Sequence, residues 1–215
     1  MLDIHLGPLH LQAWPQRALY WPAQDCVLIA DLHLGKADTL RQFGIAVPQQ
    51  VQRSDLLRLD DLLATLQPQR CLILGDLVHG RIVGPETAEA WNALLQAHPA
   101  TRFELILGNH DRAFQSDLLH LHAVHTALQL GHVWLSHEPL PAQALQAPGS
   151  LNIHGHIHSA IRLEGCRSKL PALVYQPPYL SLPAFSEFTA GVTPKGACQG
   201  IWVFASDASS VVRMR

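Results

Sequence analysis

The stretch that decides the fold is Cys26 to His33, CVLIADLH: five consecutive apolar residues closed by Asp31 and, two positions on, His33. A short unbroken apolar run of this kind marks a strand buried on both faces, as in a sheet covered by helices. Two more runs end the same way. Cys71 to Leu74 stops at Gly75-Asp76, and Phe103 to Leu107 stops at Gly108-Asn109-His110-Asp111. Between these runs apolar residues recur at threes and fours. One set is Val51, Leu56, Leu59, Leu62, Leu63 and Leu66; the other is Ala88, Trp91, Leu94 and Leu95, preceded by Pro85, which suits a helix first turn. Strand, helix, strand, helix, strand predicts an α/β sheet whose polar strand ends gather on one edge.

Upstream, Leu9, Leu11 and Ala13 alternate with His10 and Gln12, which reads as an opening strand or hairpin. Downstream of residue 125 the helical periodicity fades. Short β-like runs follow at 132–136, 151–154, 170–175, 179–182, 201–204 and 211–214, separated by Pro148-Gly149, Pro177-Pro178 and the pair Pro194 and Gly196. A second sheet packed on the first is the economical inference. With 215 residues and no repeat or linker, one domain spanning 1–215 is expected.

Bulk composition excludes several classes. A hydrophobic content of 48% argues for a substantial core rather than a disordered chain. The formal charge of −2 provides no global positive field for nucleic acid, so such a substrate has to be held by local features. Cys26, Cys71, Cys166 and Cys198 form no CxxC pair, which argues against a zinc ribbon or a thioredoxin-like site. The start MLDIHLGPLH lacks the basic residues of a signal peptide, and no stretch approaches the ~20 apolar residues of a membrane span. A cytoplasmic protein is the expectation. Fourteen histidines are the unusual figure, and their positions matter more than their number.

Asp31 and His33 stand two apart at a strand end, so a period of two predicts both side chains on one side. Asp76 offers a carboxylate able to bridge two cations, and Asn109 a neutral carbonyl oxygen. Later come His137, at the end of a strand, and the pair His156 and His158 in Gly-His-x-His. Seven oxygen and nitrogen donors without sulfur suit borderline ions better than Mg or Ca. Singly, each cluster is as consistent with a hydrogen-bonded or capping role as with ligation. Their order and completeness carry the argument.

That order, D-x-H, G-D, G-N-H-D, a lone His and G-H-x-H, resembles the calcineurin-like metallophosphoesterases. The wording DLHLGKADTLRQFGIAVP, GDLVHGR, GNHDR, SHEP and HGHIH is similar to the bacterial DNA ligase-associated subfamily. The resemblance implies a four-layer α/β/β/α sandwich of two packed mixed sheets flanked by helices. It also implies two divalent ions, manganese first with iron, zinc or cobalt as alternatives. Asp31, His33 and His158 would hold one ion, Asn109, His137 and His156 the other, with Asp76 bridging.

By the same resemblance the substrate is a phosphodiester, with DNA as the leading candidate and a functional link to a DNA ligase. His110 is the expected general acid, with Asp111 to orient its ring. His79 resembles a histidine that steers the diester in nucleases of this superfamily, against a turn or supporting role. Arg112, Arg81 and Lys36 adjoin the motifs as candidate phosphate contacts. A phosphatase or phosphodiesterase for a small nucleotide is the competing enzyme, and a non-catalytic module of the same fold the third reading. His120, His122 and His125 lack Asp or Cys at ligand spacing and read as structural; His154 reads as packing.

Overall fold

The computed structural model describes all residues except 48–49, 114–116, 190 and 215, together with the side chains of 50–52 and 113, so Val51 of the helical pattern is seen only as backbone. The chain opens as an antiparallel meander of β1 (Leu2–Leu6), β2 (Leu9–Trp14) and β3 (Ala18–Trp21), which delivers β4 (Cys26–Ile29). From β4 onward the pairing is parallel, through β5 (Arg70–Leu74), β6 (Arg102–Ile106) and β7 (Ala123–His125). Parallel pairing requires crossovers. α1 (Lys36–Gln42) and α2 (Gln50–Leu66) lie between β4 and β5, and α3 (Pro85–Ala97) between β5 and β6. The result is a seven-stranded sheet in the order β1 to β7.

Eight further strands form the second sheet: β8 (Leu128–Leu130), β9 (Val133–Ser136), β10 (Leu151–His154), β11 (Ala160–Ile161), β12 (Leu170–Gln176), β13 (Tyr179–Ser181), β14 (Gly200–Phe204) and β15 (Val211–Arg213). Its order is β15-β14-β12-β13-β10-β9-β8, with β11 attached to β12, and β9, β10 and β13 are parallel.

The apolar run at 26–30 is explained by what lies on each side of β4. Leu28, with Leu72 and Leu74 of β5, faces the second sheet and packs with Leu135, Ile153, Leu173 and Leu180. Val27 and Ile29, with Cys71 and Ile73, face the other way and meet Leu59, Leu62 and Leu63 of α2 and Trp91 of α3. Trp91 is fully buried, its ring edge-on to Phe103 of β6 at 5.8 Å.

The two packed mixed sheets and the helices on the first are as expected. The far side of the second sheet differs. The apolar cluster there comprises Ala172, Val174, Cys198 and Val203, against which Ile161, Leu163, Leu170 and Ile201 pack, and none of these belongs to an α-helix. The intervening segments are short and broken by Gly and Pro, so strand β11 and loops supply the cover.

Three histidines outside the motifs have structural partners. His125 Nε2 meets Glu104 Oε2 at 2.8 Å, while Arg70 grips the same carboxylate with two 3.0 Å bonds, which ties β5, β6 and β7 together. His122 Nδ1 accepts the Phe103 backbone N–H at 3.0 Å. His120 sits beside α3, its backbone N–H on Asn92 Oδ1.

Trp91→Ala removes the largest side chain of the helix-to-sheet interface. It should lower unfolding stability by about 3–5 kcal/mol, read as a lower urea midpoint at unchanged m-value.

Candidate metal centre

All seven expected donors stand just past strand ends. Asp31 and His33 follow β4, Asp76 follows β5, Asn109 follows β6, His137 follows β9, and His156 and His158 follow β10. Strand periodicity, however, is not what brings each pair together. Strands β4 and β10 stop at Ile29 and His154, and the chain then turns through left-handed backbone at Asp31 (φ 57°), His33 (52°), His156 (66°) and His158 (51°), with Asp76 at 51°. L-residues adopt this conformation at a cost of about 1–3 kcal/mol each, and its clustering is typical of functional sites.

Close approach explains the motif glycines. A Cβ on Gly75 would lie 2.2 Å from His137 Nδ1, one on Gly108 2.2 Å from Asp76 Oδ1, and one on Gly155 2.8 Å from Asp31 Oδ2. Backbone bonds then lock the loops to one another. Asp31 N–H donates to Gly75 O at 3.0 Å and His33 N–H to Asp76 O at 2.9 Å, while His156 N–H reaches Asp31 Oδ2 at 3.0 Å.

One donor group is Asp31, His33 and His158, with one ligand atom of each within 4.8 Å of the others. His158 Nε2 lies 3.2 Å from Asp31 Oδ1, yet it and His33 Nδ1 are buried without a hydrogen-bond partner among the described residues. Orphaned buried nitrogens of this kind call for an unseen partner. Burial, reinforced by His158 and Lys36, pushes the His33 imidazole down to about 2, so it offers a neutral lone pair.

The second donor group is tighter. Asn109 Oδ1, His137 Nε2 and His156 Nδ1 stand 2.9, 3.1 and 3.1 Å apart. His137 Nδ1 donates to Leu74 O at 3.0 Å, which leaves its Nε2 lone pair aimed at the other two. Edges of this length match adjacent positions around an ion with bonds of about 2.1 Å. Asp76 lies beside this group, its Oδ1 3.5 Å from His137 Nε2, and Asp31, Asp76 and His137 also lie within 4.8 Å of one another. Burial, with the Asp31 carboxylate nearby, raises the Asp76 carboxyl above its ordinary range.

The candidate catalytic residues flank the first group. His33 is met edge-on by the rings of His79 at 5.3 Å and His110 at 5.4 Å, and those two stack on each other at 5.0 Å. His110 Nδ1 is held by the His79 carbonyl at 3.0 Å, which leaves Nε2 4.0 Å from Asp76 Oδ2. Asp111 does not orient that ring. It is buried, and its two oxygens accept the backbone N–H groups of Val78 (3.0 Å) and Gly108 (2.9 Å), because the turn carrying Asn109 must be pinned to the loop after β5. Burial pushes His79 down to about 4, with Lys36 and His110 adding to the effect. Lys36 Nζ donates to Phe188 O at 2.9 Å, and Arg81 and Arg112 are exposed beside the motifs.

Sequence reasoning missed the segment after β13. Phe185 N–H donates to Ala30 O at 2.8 Å and Ser186 N–H to Asp31 O at 3.2 Å, so this loop holds the first ligand in place. The loop is in turn gripped by two basic residues. Arg17 bonds the carbonyls of Phe185 and Ser186, and Arg58 bonds Phe185 O while stacking over its ring at 4.5 Å. Nothing in the one-dimensional pattern signals these contacts.

Asp76→Ala is expected to lose metal and activity together, read by elemental analysis and by hydrolysis of a chromogenic phosphodiester. Gly108→Ala should do the same through the clash with Asp76, with metal affinity down ~10-fold or more. Gly131→Ala, strained at φ +63° but in the turn between β8 and β9 where its Cβ meets nothing within 4 Å, is the control that loses some stability and keeps its metal.

Among curated protein sequences, none matches the chain. A family model described as calcineurin-like phosphoesterase matches residues 26–181. The structure is similar to that of a nuclease, MPE, from Pseudomonas putida, 31% identical with a TM-score of 0.81, over 99% of this chain and 98% of that one. A phosphoesterase from E. coli, Yfce, is 15% identical with a TM-score of 0.48 over 88% and 96%. Ordered motifs, converging donors and the family match over most of the chain agree, and the chain belongs to the calcineurin-like phosphoesterases, metal-dependent hydrolases of phosphoric esters.

Proposed function

We propose that the protein hydrolyses phosphodiester bonds of nucleic acid at a dinuclear centre, with Asp31, His33 and His158 on one ion, Asn109, His137 and His156 on the other, and Asp76 shared. The observation that carries this reading is the pair of adjacent donor groups, each with buried nitrogen lone pairs facing a common point. Manganese is the first-choice ion, since the set mixes imidazole with oxygen donors. The choice of nucleic acid rests on the similarity to a nuclease at 31% identity and on His79 standing beside His110. Both sheets share one core, which supports a single domain over 1–215.

Bound divalent ions would supply Lewis-acid stabilisation of the phosphoryl oxygens and activate the attacking water. The chain's own residues do the rest. His110, half-exposed with Nδ1 fixed on the His79 carbonyl, presents Nε2 to the site and gives a proton to the leaving oxygen. Asp111 acts through the backbone and keeps Asn109 and His110 in register with Asp76. His79, kept neutral by burial, donates a hydrogen bond to a non-bridging oxygen and so favours a diester over a more highly charged monoester. Lys36 and the exposed Arg81 and Arg112 supply positive charge for flanking phosphates.

A small-nucleotide phosphodiesterase would use the same centre, and substrate preference separates the two. With manganese added, single-stranded or duplex DNA should be cleaved in preference to cyclic nucleotides and monoesters. The reverse order would favour the small-molecule reading. His110→Ala should retain metal and lose about 10²–10⁴ in kcat. His79→Ala should lose more activity on bis-p-nitrophenyl phosphate than on the corresponding monoester. Equal losses on both would remove its assigned role.

A further inference from the structure

The face of the second sheet turned away from the first holds a site that the metal centre does not use. β10, β13 and β12 lie side by side, with His154 opposite Ser181 and Ser181 opposite Val174. Ile153, Leu180 and Leu173 fill the core between the sheets, so by alternation His154, Ser181 and Val174 face outward. Loop residues around Pro139, Ile157 and Thr193 rim this face and enclose a pocket of about 510 Å³. That volume lies in the range of small-ligand sites.

Its lining is mixed in the manner of such sites. Val174 and Ile157 give apolar wall, and the ring of Tyr179 stands edge-on to His154 at 6.1 Å. His154 is 3% exposed, and its Nδ1 donates to Gly155 O at 2.9 Å, which leaves the Nε2 lone pair as an acceptor. Ser159 and Ser181 share a hydroxyl hydrogen bond of 2.8 Å, so one hydroxyl lone pair set and one rotatable donor remain available. An apolar wall beside two aromatic rings, edged by one ring acceptor and two hydroxyls, fits a planar heterocycle better than an aliphatic chain. Lys195, exposed in the same lining, gives the ligand an anionic end.

We propose that this pocket binds a nucleoside monophosphate, its base between the Tyr179 and His154 rings and the Val174 wall and its phosphate at Lys195. The proposal rests on the nucleic-acid reading for the presence of that ligand, since diester hydrolysis of DNA releases 5′- or 3′-phosphorylated ends and nucleotides. The pocket's own chemistry stands apart from the metal centre. Ile157, which stands in the chain between the donors His156 and His158, lines the pocket, and none of the seven donors does.

Calorimetric titration of the full-length protein as purified with dAMP, dCMP, dGMP and dTMP, and with inorganic phosphate alone, tests it. At least one nucleotide should bind one per chain and should not be displaced by phosphate. Thr193→Trp, an exposed lining position that would fill the pocket, should weaken that binding by about tenfold or more while diester hydrolysis with manganese stays at the wild-type rate. Lys195→Ala should weaken the nucleotide more than the corresponding nucleoside. Failure of all four nucleotides to bind, or binding unchanged in Thr193→Trp, would overturn the proposal. Failure of the nuclease reading would show differently, as no DNA cleavage by a protein that still binds nucleotide.

Discussion

Asn109 Oδ1, His137 Nε2 and His156 Nδ1 meet within 3.1 Å, with the carboxylates of Asp76 and Asp31 close behind. Lone pairs crowded in this way repel one another unless positive charge sits among them. The surrounding architecture serves that crowding. Five donors take left-handed backbone at about 1–3 kcal/mol each, a sum comparable to the whole stability of an ordinary domain. Such strain persists only where packing over-determines it. The fully buried strands β4 and β10, the buried run Cys71 to Leu74 of β5, the loop-to-loop backbone bonds and the Arg17 and Arg58 grip on residues 185–186 provide that packing.

The division of labour between the two sheets follows from this constraint. The first sheet brings Asp31, His33, Asp76 and Asn109, mainly oxygen donors, on parallel strands whose helical crossovers point every strand end the same way. The second sheet brings His137, His156 and His158 on β9 and β10, also parallel to each other. The sandwich core aligns the two edges. Each ion would therefore draw on both sheets, so the centre forms only when the sandwich closes, and metal binding is linked to folding.

Much of this was legible in the sequence, though not always for the reason first assigned. The apolar runs at 26–30 and 71–74 gave buried strands because their residues alternate between two different cores. The pairing of Asp31 with His33 looked like strand alternation and is instead a pair of left-handed turns, which no residue pattern announces for Asp and His. Asp111 sits next to His110 in the chain, which suggested a ring contact, whereas its carboxylate is taken up by the N–H groups of Val78 and Gly108. α1 escaped notice because Ala37 is its one buried residue, and β7 and β8 because three residues with alternating partial exposure make no run. The roles of Arg17, Arg58 and Ser186 depend on contacts across more than a hundred residues and have no local signature.

Anomalous diffraction at the manganese edge, from crystals grown with the ion, addresses the two-metal centre most directly. Two peaks about 3.5–4 Å apart are predicted, one among Asp31, His33 and His158, the other among Asn109, His137 and His156, with Asp76 within bonding distance of both. A single peak, or peaks that leave either donor group empty, would contradict it.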